Sequence, residues 1–369
     1  MAILAVLACG GCGSDSGGSM RAQWSLGQAA SWYQDQPWLV GSNFVPSTAS
    51  NQLEMWQEAT FDEATIDREL GWAADLGFNT MRVFLHDLVW KEDGERFLDR
   101  VDRFLGIAAR HGIRPMLVIF DGVWDPFPRV GPQAEPRPLV HNSRWVQSPG
   151  AEILGDSARH DELESYVRAV VKRFRRDERV LAWDLFNEPD NPNPAYADVE
   201  LPADAKAAGA EALLRKAFEW ARAEGPTQPL TAGVWRDQWS NPDELTSINR
   251  LMLGQSDIVT FHSYAEAPVV AQLLNELEAY GRPVLCTEWM ARTVGSTFQT
   301  VLPIFAERRI GAYNWGLVSG RSQTIYSWFS WLRPDPPDAP WFHDILRRDG
   351  SAYDEAETTL IRELTAQSR

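Results

Sequence analysis

Two glutamates each close a short apolar run. Residues 180–186 lead directly into Asn187, Glu188 and Pro189, and residues 283–287 lead into Glu288 and Trp289. Glutamate is among the residues least often buried, so one at the tip of a core strand needs a reason. A parallel β/α barrel supplies it, because the C-terminal ends of its strands form the floor of the active site. Two carboxyl groups facing each other across such a floor can cleave a glycosidic bond. One gives its proton to the leaving oxygen and the other, ionised, attacks the anomeric carbon, and retention of configuration needs them about 5–5.5 Å apart. Identical side chains divide these roles only where their surroundings separate their pKa values. The apolar strand beneath Glu188 can raise its pKa by desolvation. Arg82, within the run 81–85, is the cation that would keep Glu288 ionised, and a buried arginine of this kind requires an acidic partner.

The elements that must position these groups alternate along the chain. Strand-like runs fall at 38–44, 79–85, 114–120, 180–186, 229–234, 257–262, 283–288 and 311–316. Amphipathic stretches lie between them at 62–76, 95–111, 160–176, 205–224, 266–280 and 296–309. In 160–176, Leu163, Tyr166, Val167, Val170, Val171 and Phe174 follow helical spacing. Repeated strand–helix alternation implies a parallel sheet with helices outside it, and eight units within one domain imply a closed (β/α)8 barrel spanning 21–369. An open doubly wound sheet is the alternative, but no Gly-rich phosphate loop follows the first strand. Two connections, 121–159 after the third strand and 317–343 after the eighth, are too long for simple turns. Both would rise from the catalytic face, and their length favours a partly closed site.

Taken singly, each glutamate could be a salt-bridged structural residue. Together with Arg82, and with His262-Ser263-Tyr264 and Trp315 at the sixth and eighth strands, they form a pattern. On these motifs the stretch 40–316 resembles the retaining glycoside hydrolases of clan A, most closely family 5, the cellulase and mannanase family. The resemblance implies Glu188 as acid/base and Glu288 as nucleophile, with Arg82 and Tyr264 holding the nucleophile. It implies that Asn187 hydrogen-bonds the sugar 2-hydroxyl, that His262 lines the acid/base side, and that Trp315 lies under the sugar at the cleavage point. Family 5 usually has a histidine at the end of its third strand, where this chain has Asp121-Gly122-Val123-Trp124. Either His86 or His141 could occupy that space. Asp121, Trp124 and Trp235 are further candidates for substrate contact, with Trp239, Asp87 and Trp90 equally readable as packing.

Composition agrees with a sugar-binding cleft and excludes other partners. The chain of 369 residues carries 51 acidic and 35 basic side chains, a net charge of −16, which disfavours nucleic acid and anionic membrane surfaces. Tryptophan is abundant, at 17 residues, and many of these fall in predicted loops, where a flat indole can meet the C–H face of a pyranose. The six histidines show no metal-ligand spacing, so neither a metal nor a cofactor is expected. Cys286, the one cysteine beyond residue 20, reads as a buried inert thiol.

Residues 1–20 read as a targeting segment and tether. The apolar stretch 1–8 followed by Cys9, with Cys12 as the alternative, resembles the end of a bacterial lipoprotein signal. That implies a lipid anchor and a cell-envelope or secreted monomer acting on oligo- or polysaccharide. Two other functions fit the same residues: a carbohydrate-binding lipoprotein on an inactive barrel, and a transglycosylase using the same carboxyl pair.

Overall fold

The computed structural model describes residues 21–193 and 203–367. The lipoprotein-like segment with Cys9 lies outside the described residues. Eight strands run parallel: β1 (Val40–Asn43), β2 (Thr80–Phe84), β3 (Met116–Asp121), β4 (Ala182–Asn187), β5 (Leu230–Thr231), β6 (Val259–His262), β7 (Val284–Trp289) and β8 (Gly311–Trp315). Their order is β5-β4-β3-β2-β1-β8-β7-β6, and a parallel bridge between Val234 and Phe261 joins the two ends. The sheet is thereby a (β/α)8 barrel with its helices outside.

The barrel is filled in layers. Leu39, Met116, Ile258, Leu285 and Tyr313 plug its lower end. Above them the interior turns polar. The Tyr313 hydroxyl meets Thr80 Oγ1 at 3.0 Å, and Arg82 and Asp184 face each other with no solvent exposure. The larger apolar cluster lies between the strands and the surrounding helices, where Leu105, Val170, Leu214, Leu274 and Phe305 pack inward.

The strands lie within a residue or two of the sequence reading except β5, which is shorter. Only Leu230 and Thr231 pair with β4, and the backbone bridge to β6 is the isolated one at Val234. Among the described residues five α-helices have no counterpart in that reading: Leu26–Gln34, Gln52–Trp56, Ala151–Leu154, Ser247–Gln255 and Glu355–Gln367. The helix read as 95–111 begins earlier, at Asp87, with a break in its backbone at Asp93. Among the described residues no helix is long and apolar enough to cross a membrane.

The long connections after β3 and β8 pack on one another. Asn142 N–H donates to Ser322 O at 2.9 Å, His141 N–H to Ser330 Oγ at 2.9 Å, and Trp331 Nε1 to His141 O at 2.8 Å. The Trp124 and Trp331 rings stack with centroids 5.6 Å apart.

Candidate active site

Strand β4 delivers its glutamate through an unusual backbone. Glu188 has φ +40°, the left-handed region that side-chain-bearing residues avoid and that recurs at functional positions. The end of β3 closes tightly against it. Gly122 N–H donates to Asn187 O at 2.8 Å, and a Cβ on Gly122 would stand 2.2 Å from Glu188 O, so no larger residue fits there. Across the barrel β7 carries Glu288 as its penultimate residue, whose register partner on β6 is His262. One oxygen of Glu188, one of Glu288 and a nitrogen of His262 all lie within 4.8 Å of one another.

The two carboxyls have different partners. Glu288 Oε1 accepts from Arg82 Nη1 and its Oε2 from Tyr264 Oη, each at 2.8 Å. Glu188 Oε2 accepts from Asn191 Nδ2 at 2.6 Å, and its Oε1 lies 2.8 Å from His262 Nδ1. Burial pulls the His262 pKa down to about 4, so the imidazole is neutral near pH 7. A neutral ring leaves one proton in the His262–Glu188 contact. Burial pushes Glu188 up to about 7 and raises Glu288 as well, while Arg82 and the Tyr264 hydroxyl oppose the rise at Glu288. Of the pair, Glu188 is the one arranged to hold a proton, because no cation contacts it directly.

Arg82 organises the floor with four guanidinium hydrogen bonds and two ion pairs. Nε and Nη2 reach Asp184 Oδ2 at 2.9 and 2.7 Å, Nη1 reaches Asn43 Oδ1 and Glu288, and Nη2 reaches Asn187 Oδ1 at 2.7 Å. Two acidic partners answer the cost of burying this charge. Truncating either would leave it under-compensated, at about 3–5 kcal/mol. The Asn187 amide is held from its other side too, with Nδ2 donating to Asp121 Oδ1 at 2.9 Å. Its second amide hydrogen is left for the cleft.

The cleft above this floor has a volume of about 360 Å³. Glu188, Glu288, Asn187, His262, Tyr264 and Trp315 all line it, as do Trp124 and Trp235. Arg82 stands behind Glu288 and Asn187, fully buried, and touches those side chains rather than the cleft. Two other sequence candidates are placed elsewhere. Asp121 is fully buried, with both oxygens occupied by donors from Gln52, Trp145, Asn187 and Val123, so it supports Asn187 from behind instead of meeting substrate. His86 caps the helix that follows β2, accepting from Leu88 N–H, and is buried away from the cleft. His141 is the histidine that lines the cleft near β3. Its Nδ1 lies 2.8 Å from Tyr326 O, and burial lowers its pKa to about 4. Trp239, Asp87 and Trp90 stand outside the cleft lining. Trp239 packs on Phe261 and Trp90 on Tyr166.

Sequence reasoning missed several groups. Asn191 is the direct partner of Glu188, signalled only by the crowding of Asn, Asp and Pro after it. Trp328, placed by sequence only within the long 317–343 connection, lines the cleft with its ring edge-on to Tyr264 at 4.9 Å. Lys206 reaches back from its helix to donate to Gly122 O at 2.6 Å and to Asn191 O, tying the β3 and β4 loops together. Nothing in the alanine-rich segment around Lys206 announced this.

Glu188, His262 and Glu288 have the residue types and spacing of a metal site. Arg82 already balances Glu288 and would repel a second cation there, so the trio is better suited to sharing a proton than to ligation.

The family model described as cellulase, glycosyl hydrolase family 5, matches residues 45–320. The chain belongs to that family and is a glycosidase. Among solved structures it is similar to a family 5 enzyme of Streptomyces cattleya in complex with Manb1-4GlcNAc, with a TM-score of 0.60 and 14% identity over 90% of this chain and 81% of that one. It is also similar to an exo-beta-1,4-mannosidase of Opitutaceae bacterium strain TAV5, with a TM-score of 0.60 and 18% identity over 89% of this chain and 59% of that one. At such identities the likeness is one of fold. A curated relative, mannan endo-1,4-beta-mannosidase A of Emericella nidulans, is 28% identical over 96 residues, which are 26% of this chain and 23% of that enzyme. The match thus spans about a quarter of that relative's length.

Proposed function

We propose that this glycosidase cleaves β-linked glycans with retention of configuration, by double displacement between Glu188 and Glu288. The observation that carries the reading is the short approach of the two carboxyls combined with their unequal partners. An oxygen of each lies within 4.8 Å of the other, one carboxyl held by a guanidinium and a phenol and the other by neutral groups. Such closeness supports the short separation of a retaining pair rather than the wider one that holds a water in an inverting enzyme.

In this reading the sugar rests on Trp315 and Glu288 attacks the anomeric carbon. Glu188 gives its proton to the departing oxygen, then accepts one from the water that breaks the glycosyl ester. Tyr264 and Arg82 fix the attacking carboxylate, and the free N–H of Asn187 meets the 2-hydroxyl. The names of the structural relatives support a β-mannoside as the first substrate to test.

Proton NMR of the first minutes of hydrolysis of an aryl β-mannoside tests this, with aryl β-glucoside and β-xyloside alongside. The β-anomer should form first and then mutarotate. Initial α-anomer would overturn double displacement.

A further inference from the structure

The cleft is walled on one side of the barrel mouth, and the wall stands where the far end of a bound glycan would have to pass. Among the described residues, those lining the cleft come from the ends of β3 to β8 or the loops that follow them, and none from β1 or β2. Above β1 and β2 the space is filled. Trp145, from the loop after β3, sets its ring edge-on against Phe84 at 5.1 Å and Trp315 at 5.6 Å, and anchors its Nε1 on Asp121 at 2.6 Å. Between these rings and Asn43, Phe44 and Val45 only about 20 Å³ remains. That is room for about one water and far too little for a sugar.

The wall is cross-braced rather than loosely laid. The β3 loop is joined to the β8 loop by the Asn142–Ser322, His141–Ser330 and Trp331–His141 hydrogen bonds and the Trp124–Trp331 stack. It is joined to the β1 loop by Asn51 Nδ2, which donates to Arg144 O at 2.7 Å, and Arg321 N–H ties the β8 loop to Ser47 O at 3.0 Å.

Chemistry then fixes which end of the glycan faces the wall. The departing oxygen must lie beside Glu188, on the β4 rim, so the leaving portion extends toward Asn191 and Trp235. The sugar being attacked lies on the opposite side, over Trp315, with its far hydroxyls toward the wall. One unpaired acceptor lies there: Asn142 is among the residues that line the cleft, and its Oδ1 is buried with no hydrogen-bond partner among the described residues. An unpaired buried carbonyl is costly unless a ligand hydroxyl answers it.

We infer that the site holds a single sugar on the glycone side and removes one residue at a time from the non-reducing end of a β-linked chain. Asn142 recognises a hydroxyl on the far side of that terminal sugar. The inference rests on the acid/base and nucleophile roles proposed above.

The test uses the whole enzyme with β-1,4-linked manno-, gluco- and xylo-oligosaccharides labelled at the reducing end. Each is supplied free and capped at its non-reducing terminus as a bulky acetal or ether, with aryl β-glycosides of the same sugars in parallel. On its active series, the free chain should shorten one residue at a time and the capped chain should show no detectable loss. Asn142→Gly, which suits the left-handed backbone at this position (φ +50°), should lower kcat/KM on the free chain about tenfold. Internal cleavage of a capped chain would overturn the wall while leaving the glycosidase reading intact, and an unchanged kcat/KM in Asn142→Gly would overturn its role. Failure on every oligosaccharide and aryl glycoside would overturn the proposed reaction, and the inference with it.

Discussion

Asp121 and Asn187 are register partners on adjacent strands, and their side chains meet beneath the cleft, with Asn187 Nδ2 donating to Asp121 Oδ1 at 2.9 Å. Arg82 grips the other end of the same amide at 2.7 Å, so the plane of Asn187 is fixed before any sugar arrives. Burial pushes the Asp121 carboxyl up to about 7, against four donors that favour its charge. Asp121→Asn keeps the shape but turns an N–H toward at least one of those donors, costing about 1–3 kcal/mol of stability. If Asn187 meets the 2-hydroxyl, the variant should lose kcat with little change in KM, by about tenfold to a hundredfold. A 2-deoxy substrate should show a much smaller difference. Equal losses on both substrates would mean that Asp121 serves only the fold.

Glu188→Ala should leave the fold intact and slow substrates with poor leaving groups by about a hundredfold to ten-thousandfold, the usual worth of a general acid. Activated aryl glycosides should suffer less in the first step. Azide should restore turnover by attacking the intermediate without a general base. Uniform loss across leaving groups, with no azide adduct, would make Glu188 structural.

The pH profile follows from the same group. Glu188 must be protonated to act as acid, and burial places its pKa at about 7. As pH rises through that value the acid form is lost, so kcat/KM should fall on the alkaline side by about tenfold per pH unit. Glu188→Gln, measured on an activated aryl glycoside, should abolish that alkaline limb. A limb of the same midpoint in the variant would assign it to another group.

The barrel was legible because its strands are continuous apolar runs between amphipathic helices, the pattern of a sheet buried on both faces. Helix Glu355–Gln367 was not, because Glu357, Thr358 and Thr365 stand with Ile361 on its buried face and break the hydrophobic period. Helix Leu26–Gln34 buries only Ala29 and gives no stripe to read. At the site, side chains carried on strand ends were legible, since alternation and motif fix where they point. Those that act through loops were not. His86 and His141 are equal in sequence, and only the folding of 121–159 against 317–343 brings His141 to the cleft. Asp121 follows an apolar strand as the two glutamates do, and its withdrawal from substrate depends on Gln52 and Trp145 reaching it from distant segments.

In the proposed double displacement Glu288 becomes covalently bound to the sugar. Its two oxygens are held by Arg82 and Tyr264, and the carboxyl of Glu188 lies close by. A 2-deoxy-2-fluoro glycosyl fluoride of the preferred sugar should react quickly and release its intermediate slowly, so the enzyme should accumulate one added glycosyl mass. Digestion and tandem mass spectrometry should find that mass on Glu288 alone, and Glu288→Gln should neither turn over substrate nor take up the label. A glycosyl mass on another residue, or undiminished turnover by Glu288→Gln, would exclude Glu288 as the nucleophile.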